Sequence, residues 1–267
     1  MTRSGDVRRV HLIGVGPGDP DQVTMEAVRA IREVDYIVVT DKAGAEARGD
    51  GAPDPLVAAR ERLLARHLDR EPVVVRIADL ERERRPDRTA STGDYEVAVA
   101  AWHDARAAAY EEVLGSRDGD AGFLVWGDPA FYDSTLRVLQ RVHDRGRVAL
   151  DLRVVPGVSS VQLLAARHRI ALHEVGRPLH VTTGRRLREA IASGQDNIVV
   201  MLNRTVDLAE LQGWWIWWGG NLGTPEEELV AGPAAEVHAR IAMARDRLRR
   251  RAGWVMDIYL LRRGADG

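Results

Sequence analysis

Residues 10–31 read VHLIGVGPGDPDQVTMEAVRAI, and the fold turns on what the segment GVGPGDPD, between an apolar run and a helical pattern, is built to hold. Glycines at such a junction bring backbone close to a ligand. The familiar ligands are nucleotide phosphates. A P-loop needs a Lys followed by Ser or Thr, and residues 14–21 contain no lysine. A dinucleotide fingerprint needs three glycines at G-x-G-x-x-G; Gly14 and Gly16 supply two, and the third position is Asp19. A carboxylate there would repel a pyrophosphate at the helix N-terminus. Two readings stay open for the turn alone: a tight strand-to-helix turn without a ligand, or one beside something small that is not anionic at its reacting end.

The rest of the composition narrows the class. A chain of 267 residues can bury one large core or two smaller ones. With 29% charged residues and a formal net charge of −2, no basic field argues for nucleic acid or for a membrane surface. The absence of cysteine excludes disulfides and thiolate catalysis and suits a cytoplasmic protein. No run of eighteen apolar residues is present, and VHLIGVG is too short for a signal-peptide core. Of 38 basic residues only Lys42 is a lysine, a distinction that matters where a compact ammonium is needed.

Outward from the first turn, apolar runs alternate with helical patterns. VHLIGV (10–15), DYIVVT (35–40), PVVVRI (72–77), AGFLVW (121–126) and LDLRVV (150–155) predict short buried strands. Val23, Ala27, Ile31 and Val34 share a helical face, and residues 91–114 and 134–143 predict further helices stopped at Gly115 and Gly146. That alternation predicts a doubly wound parallel sheet over residues 1–153. The stretches 43–55 and 81–94 read as polar loops. After PGVSS (156–160) and the helix VQLLAARHRI the pattern restarts over 154–267. PLHVTTG, NIVVMLN, WWIWWGG, EELVAG and WVMDIYLL predict five strands, and RRLREAIASG, VDLAELQ and AAEVHARIAMARDRLRRR three helices. The last strand is expected antiparallel, giving a second α/β domain with a mixed sheet. The four tryptophans of GWWIWWGG are read as strand packing.

Ligands of doubly wound sheets lie past the carboxyl ends of the strands, where GVGPGDPD, TDK, WGDPAFYDST and PGVSS fall. GVGPGDPDQVT (14–24), GDPAFYDST (127–135), VVPGVSS (154–160), VVMLN (199–203) and NLGTPEE (221–227) together resemble the tetrapyrrole methylases, in family order and across nearly the whole chain. The resemblance implies a two-domain fold, usually a homodimer, that binds S-adenosylmethionine in the interdomain cleft, largely through backbone groups, and leaves S-adenosylhomocysteine as product. Carried onto this sequence, the cofactor residues are Pro17, Trp126, Gly127, Asp128, Tyr132, Ser159, Ser160, Met201, Leu202, Gly220 and Asn221. TDK (40–42), GDYEVAVAAWHDARAAAYE (93–111), WWGGNLGTPEE (217–227) and GWVMDIYLLRR (253–263) resemble the deacetylating branch of the family in aerobic cobalamin synthesis. The reaction this implies is methylation of carbon 1 of precorrin-5 with loss of the acetyl group as acetate.

A sulfonium methyl is already activated, so its transfer needs alignment more than acid or base, and no catalytic triad or metal cluster is expected. His168 and His173 lack ligand spacing. The tetrapyrrole carboxylates would meet Arg177, Arg185 and Arg186, with Asp19 also on the substrate side. Lys42 is the candidate for a substrate carboxylate or the acetyl carbonyl; His103 and Asp133 are candidates for activating the water that removes the acetyl group. The alternatives are another methylase of the same family, acting on a different precorrin, on diphthine or on RNA, and a nicotinamide oxidoreductase, against which Asp19 counts.

Overall fold

The computed structural model describes residues 7–42, 55–79, 92–206, 208 and 210–264. They form two compact units. One holds the chain through Gly16 together with Val23–Gly157; the other holds Pro17–Gln22 together with the chain from Val158 onward. The glycine-rich turn is thus divided, Gly14–Gly16 clustering with the first unit and Pro17–Gln22 with the second.

In the first unit β1 (Arg8–Gly14), α1 (Met25–Glu33), β2 (Tyr36–Lys42), α2 (Pro55–His67), β3 (Val73–Asp79), α3 (Thr92–Ser116), β4 (Ala121–Val125), α4 (Thr135–Arg145) and β5 (Leu150–Val155) follow one another. The sheet has the order β3-β2-β4-β1-β5 and every pair is parallel. Because successive side chains alternate between faces, Val10 and Leu12 pack with Tyr110, Leu114, Val138 and Leu139, while Ile13 and Val15 pack with Ala27, Ile31, Leu63 and Leu64. Helices therefore cover both faces, which is why the strands read as unbroken apolar runs. Thr24 caps α1 by accepting the N–H of Ala27 at 3.0 Å, and Gly146 ends α4 in the left-handed conformation, φ 67°.

Three expectations are corrected. Gly115 lies inside α3, which ends at Ser116; packing of Leu114 into the core carries the helix past a residue that only weakens it. Residues 55–67 form α2, with Pro55 at the first position, where a missing N–H costs nothing; the expected loop over 43–55 otherwise lies outside the described residues. Residues 81–91 of the other expected loop also lie outside them, and 92–94 open α3.

In the second unit α5 (Ser160–His168), β6 (His180–Thr183), α6 (Leu187–Ala192), β7 (Asn197–Met201), β8 (Trp214–Gly220), β9 (Glu228–Pro233), α7 (Ala234–Ala252) and β10 (Asp257–Arg263) build a sheet of order β6-β7-β10-β8-β9. Only β6 and β7 are parallel; β10 is antiparallel to both β7 and β8. Trp214, Ile216 and Trp218 pack with Val237, Ile241 and Leu248 of α7 and with Tyr259. Trp217 is buried on the opposite face, where the Arg262 guanidinium lies 5.3 Å from its ring centre. Tryptophans 214, 217 and 218 are core residues. The predicted helix VDLAELQ is replaced among its described residues by a turn, Leu211 N–H donating to the Leu208 carbonyl at 3.0 Å. Leu208 is fully buried in the core under α7, and burying that one side chain outweighs a short local periodicity. The last strand begins at Asp257, later than the apolar pattern suggested.

Candidate active site

Parallel order sets the carboxyl ends of β4, β1 and β5 side by side. Past them Gly16 and Gly127 pair as an isolated bridge, Gly127 N–H to Gly16 carbonyl at 2.8 Å and Gly16 N–H to Gly127 carbonyl at 3.2 Å. A methyl group on Gly14 would sit 2.6 Å from the Gly157 nitrogen; one on Gly157 would sit 2.2 Å from the Gly127 carbonyl oxygen. These glycines are required because three loops fill one another's space.

Asp128 locks the arrangement. Its Oδ1 accepts the N–H of Ala130 at 2.8 Å and its Oδ2 that of Gly157 at 2.9 Å. Asp128 begins a turn rather than a helix, with Phe131 N–H to its carbonyl at 3.1 Å. The carboxylate at the start of α4 is Asp133, whose Oδ1 accepts the Thr135 N–H at 2.6 Å. Tyr132, between them, has φ 53° and an exposed ring; Trp126 is half-buried.

At the carboxyl end of β2 stands Lys42, in register with Asp79; its side chain lies outside the described residues. Two residues earlier Thr40 accepts from Arg106 Nη2 at 2.9 Å. Arg106 also reaches the Tyr110 hydroxyl at 3.3 Å and lies 4.6 Å from the Trp102 ring centre. His103, on the same helix, is buried with its ring 5.2 Å from that of Trp102. The structure thus brings the α3 segment to the end of β2 through Arg106, which the sequence reading did not single out; the WHDAR stretch, with Arg four residues after Trp on one helical face, carried that signal.

In the second unit Pro17–Gln22 packs on the loop after β8. A Cβ on Gly223 would meet Gln22 Oε1 at 2.7 Å and the Asp19 nitrogen at 3.3 Å. Pro17 is buried, and Asp19 Oδ1 accepts the Asp21 N–H at 2.9 Å. Ser159 caps α5 in a capping box with Gln162, and Ser160 is the helix's first residue. β7 ends at Met201, followed by Leu202 at φ 55° with a 61% exposed side chain. β8 ends at Gly220, where a Cβ would meet Leu248 and Trp218 at 2.5 Å. The next residue, buried Asn221 at φ 48°, accepts the Met256 N–H on Oδ1 at 2.8 Å. Arg185 and Arg186 follow β6 at the end where Thr183 pairs with Met201; Arg186 forms a bidentate pair with Glu189, at 2.8 and 3.0 Å. Arg177 does not join them. It precedes β6 and pairs with Asp196, just before β7, at 2.9 Å, so its charge is spent at the sheet's opposite end. His168 and His173 each meet a backbone carbonyl, of Trp218 and of Glu174. Burial pulls the His168 pKa below its usual value.

Chemically, the strand-end turns offer backbone, apolar side chains and carboxylates already engaged by N–H groups. Those at 14–19 and 126–133 contain no basic side chain. Among the described residues no helix is long and apolar enough to cross a membrane. The family described as Tetrapyrrole (Corrin/Porphyrin) Methylases matches residues 9–238. The precorrin-6A synthase (deacetylating) of Sinorhizobium sp is 38% identical over 275 aligned positions, covering 100% of this chain and 99% of that protein. The crystal structure of a cobalamin synthesis related protein, CobF, from Corynebacterium diphtheriae superposes with a TM-score of 0.77 at 32% identity, covering 97% of this chain and 100% of that one. A uroporphyrin-III C-methyltransferase from Thermus thermophilus, solved with S-adenosylhomocysteine, has a TM-score of 0.53 at 18% identity over 95% of this chain and 96% of its own, a likeness of fold.

Proposed function

This chain belongs to the tetrapyrrole methylases, and from that premise we propose that it methylates carbon 1 of precorrin-5 with S-adenosylmethionine and releases acetate, yielding precorrin-6A. The observation carrying this reading is the end-to-end match to the deacetylating synthase of Sinorhizobium sp. The residues fit the donor. A phosphate would need cations that the two glycine turns lack, whereas an adenosyl group and the aliphatic chain on its sulfonium suit exposed Leu202 and Met256 and turn backbone.

When bound, S-adenosylmethionine supplies a methyl group already activated by its sulfonium. The chain's task is alignment. Leu202 and Asn221 hold left-handed turns at the ends of β7 and β8, Asp128 clasps the loops after β4 and β5, and the family resemblance assigns Pro17, Trp126, Gly127, Tyr132, Ser159, Ser160, Met201 and Gly220 to the donor as well. Lys42 meets a substrate carboxylate or the acetyl carbonyl, with Asp19, Arg185 and Arg186 on the substrate side. For deacetylation His103 takes a proton from the water that attacks the acetyl carbonyl; the bond from that carbonyl carbon to the macrocycle breaks, its electron pair stays on the ring, and acetate leaves. Asp133 is less suited, since its carboxylate already accepts the Thr135 N–H. The reading includes a homodimer in the cytoplasm, which sedimentation and cell fractionation test.

The decisive experiment is mass spectrometry of precorrin-5 incubated with the protein and S-adenosylmethionine. A product that has gained a methyl and lost an acetyl, with free acetate, is expected. Methylation of a different precorrin alone would move the chain to another branch. His103→Ala should still consume the methyl donor yet accumulate a methylated product that keeps its acetyl group.

A further inference from the structure

The core of the second unit contains a charged pair outside the turns described above. Asp257, the first residue of β10, and Arg245 of α7 are both buried. Asp257 Oδ2 accepts from Arg245 Nη1 at 2.6 Å and from Trp218 Nε1 at 2.9 Å. Burial raises the Asp257 pKa, against the opposing pull of Arg245 and Trp218. An ion pair in such a place adds little stability over a well-packed apolar pair, because desolvation offsets most of the attraction. Its reach is more informative.

Arg245 uses its second nitrogen, Nη2, to donate to the Arg204 carbonyl at 3.0 Å. Asn203 Nδ2 donates to the Asp257 carbonyl at 3.2 Å and to that of Val200 at 3.4 Å. The two residues after Leu202 are therefore tethered to this pair and its strand. A non-glycine residue stays left-handed, as Leu202 does at φ 55°, only where its surroundings over-determine it. On the other flank Asp257 is in register with Gly220, and Asn221 N–H donates to the Met256 carbonyl at 2.8 Å. Both left-handed turns hang from the corner Met256–Asp257.

We propose that Arg245 and Asp257 are positioning residues for the methyl donor, holding the Leu202 turn in its binding conformation without touching the ligand. The inference rests on the assignment of Met201, Leu202, Gly220 and Asn221 to the donor. Arg245→Lys tests it, since a lysine keeps the charge beside Asp257 but lacks the planar fork that spans Asp257 and Arg204. In the ligand-free variant, amide exchange at 202–204 should accelerate, and the Kd for S-adenosylhomocysteine should rise about tenfold, the worth of one charged hydrogen bond. KM for S-adenosylmethionine should rise more than kcat falls, with the wild-type melting temperature nearly kept. The double variant Arg245→Met/Asp257→Leu should fold, by the argument for apolar replacement, and show the same loss of affinity. Wild-type exchange and Kd in either folded variant, or a lowered melting temperature with unchanged Kd, would overturn the proposal. No S-adenosylhomocysteine binding by the wild-type chain would instead overturn the functional reading, and with it the donor's role here.

Discussion

Asp128 shows how far one carboxylate can reach: its two oxygens take the N–H groups of Ala130 and Gly157, 29 residues apart in the second case. Asp128→Ala leaves both donors without their acceptor and should lower stability by about 1–3 kcal/mol, read as a shift in the urea midpoint; Asp128→Asn, with one acceptor oxygen, should lose less. The tight glycine turn was legible from composition, whereas the clasp on Gly157 was not, because no local spacing announces a partner that distant. His11 makes a second case. It is 2% exposed on β1, and neither ring nitrogen has a hydrogen-bond partner among the described residues. Burial first, then Arg153, lower its pKa, against the pull of Asp120 and Glu33, with Arg9 adding to the depression. A histidine so depressed stays neutral in the folded chain while the unfolded chain takes up a proton below about pH 6.5. Its stabilising contribution is therefore full above that pH and is lost as the pH falls towards the folded-state value. Urea unfolding at pH 7.5, 6.5 and 5.5 should show declining stability in the wild type and a shallower decline in His11→Gln; parallel slopes would remove His11 from the acid response.

At the scale of elements, periodicity carried most of the architecture because buried parallel strands are apolar on both faces. The five strands of the first sheet lie within two residues of their predicted places. It failed where one buried side chain decides the matter: VDLAELQ has a helical spacing, but Leu208 points into the core and the backbone turns around it. Asp257 was visible as an acid within the apolar run VMDIYLL; its partner on α7 was not, since helix-to-strand pairing has no fixed spacing. The capping box of α5 was likewise present in SSVQ, where Ser159 accepts from Val161 and Gln162 and the Gln162 side chain accepts the Ser159 N–H at 2.8 Å. Because that hydroxyl is committed to the helix, Ser159 can meet the donor only through its backbone, so Ser159→Ala should cost about 1 kcal/mol of stability and leave the affinity of the folded protein for S-adenosylhomocysteine within a factor of about two. Denaturant titration and calorimetry on the same variant separate the two effects. A large loss of affinity without loss of stability would mean that Ser159 serves the ligand directly.

For the whole molecule, the opening turn asks which ligand class the chain accepts, and the packing of its glycines bears on the answer. A dinucleotide turn leaves its glycine backbone open so that a pyrophosphate can approach. Here Gly14 and Gly157 fill each other's Cβ space, Gly127 closes over Gly157, and the remainder of the turn, Pro17–Gln22, clusters with the second unit. In the sequence Asp19 replaces the third glycine of the dinucleotide motif with a carboxylate, and with a formal net charge of −2 no long-range field gathers polyanions. A donor that is cationic at its sulfur and uncharged at its adenosyl end meets none of these obstacles. A ligand that binds only the folded chain stabilises it by about 2.7 kcal/mol at a hundredfold excess over Kd. For a chain of this size that corresponds to a melting-temperature rise on the order of 5–10 °C. S-adenosylhomocysteine at saturating concentration should produce such a rise and NAD none. Equal rises with both would restore the nicotinamide reading of the turn, because a pyrophosphate would then have found a cradle despite the mutual packing of Gly14, Gly127 and Gly157.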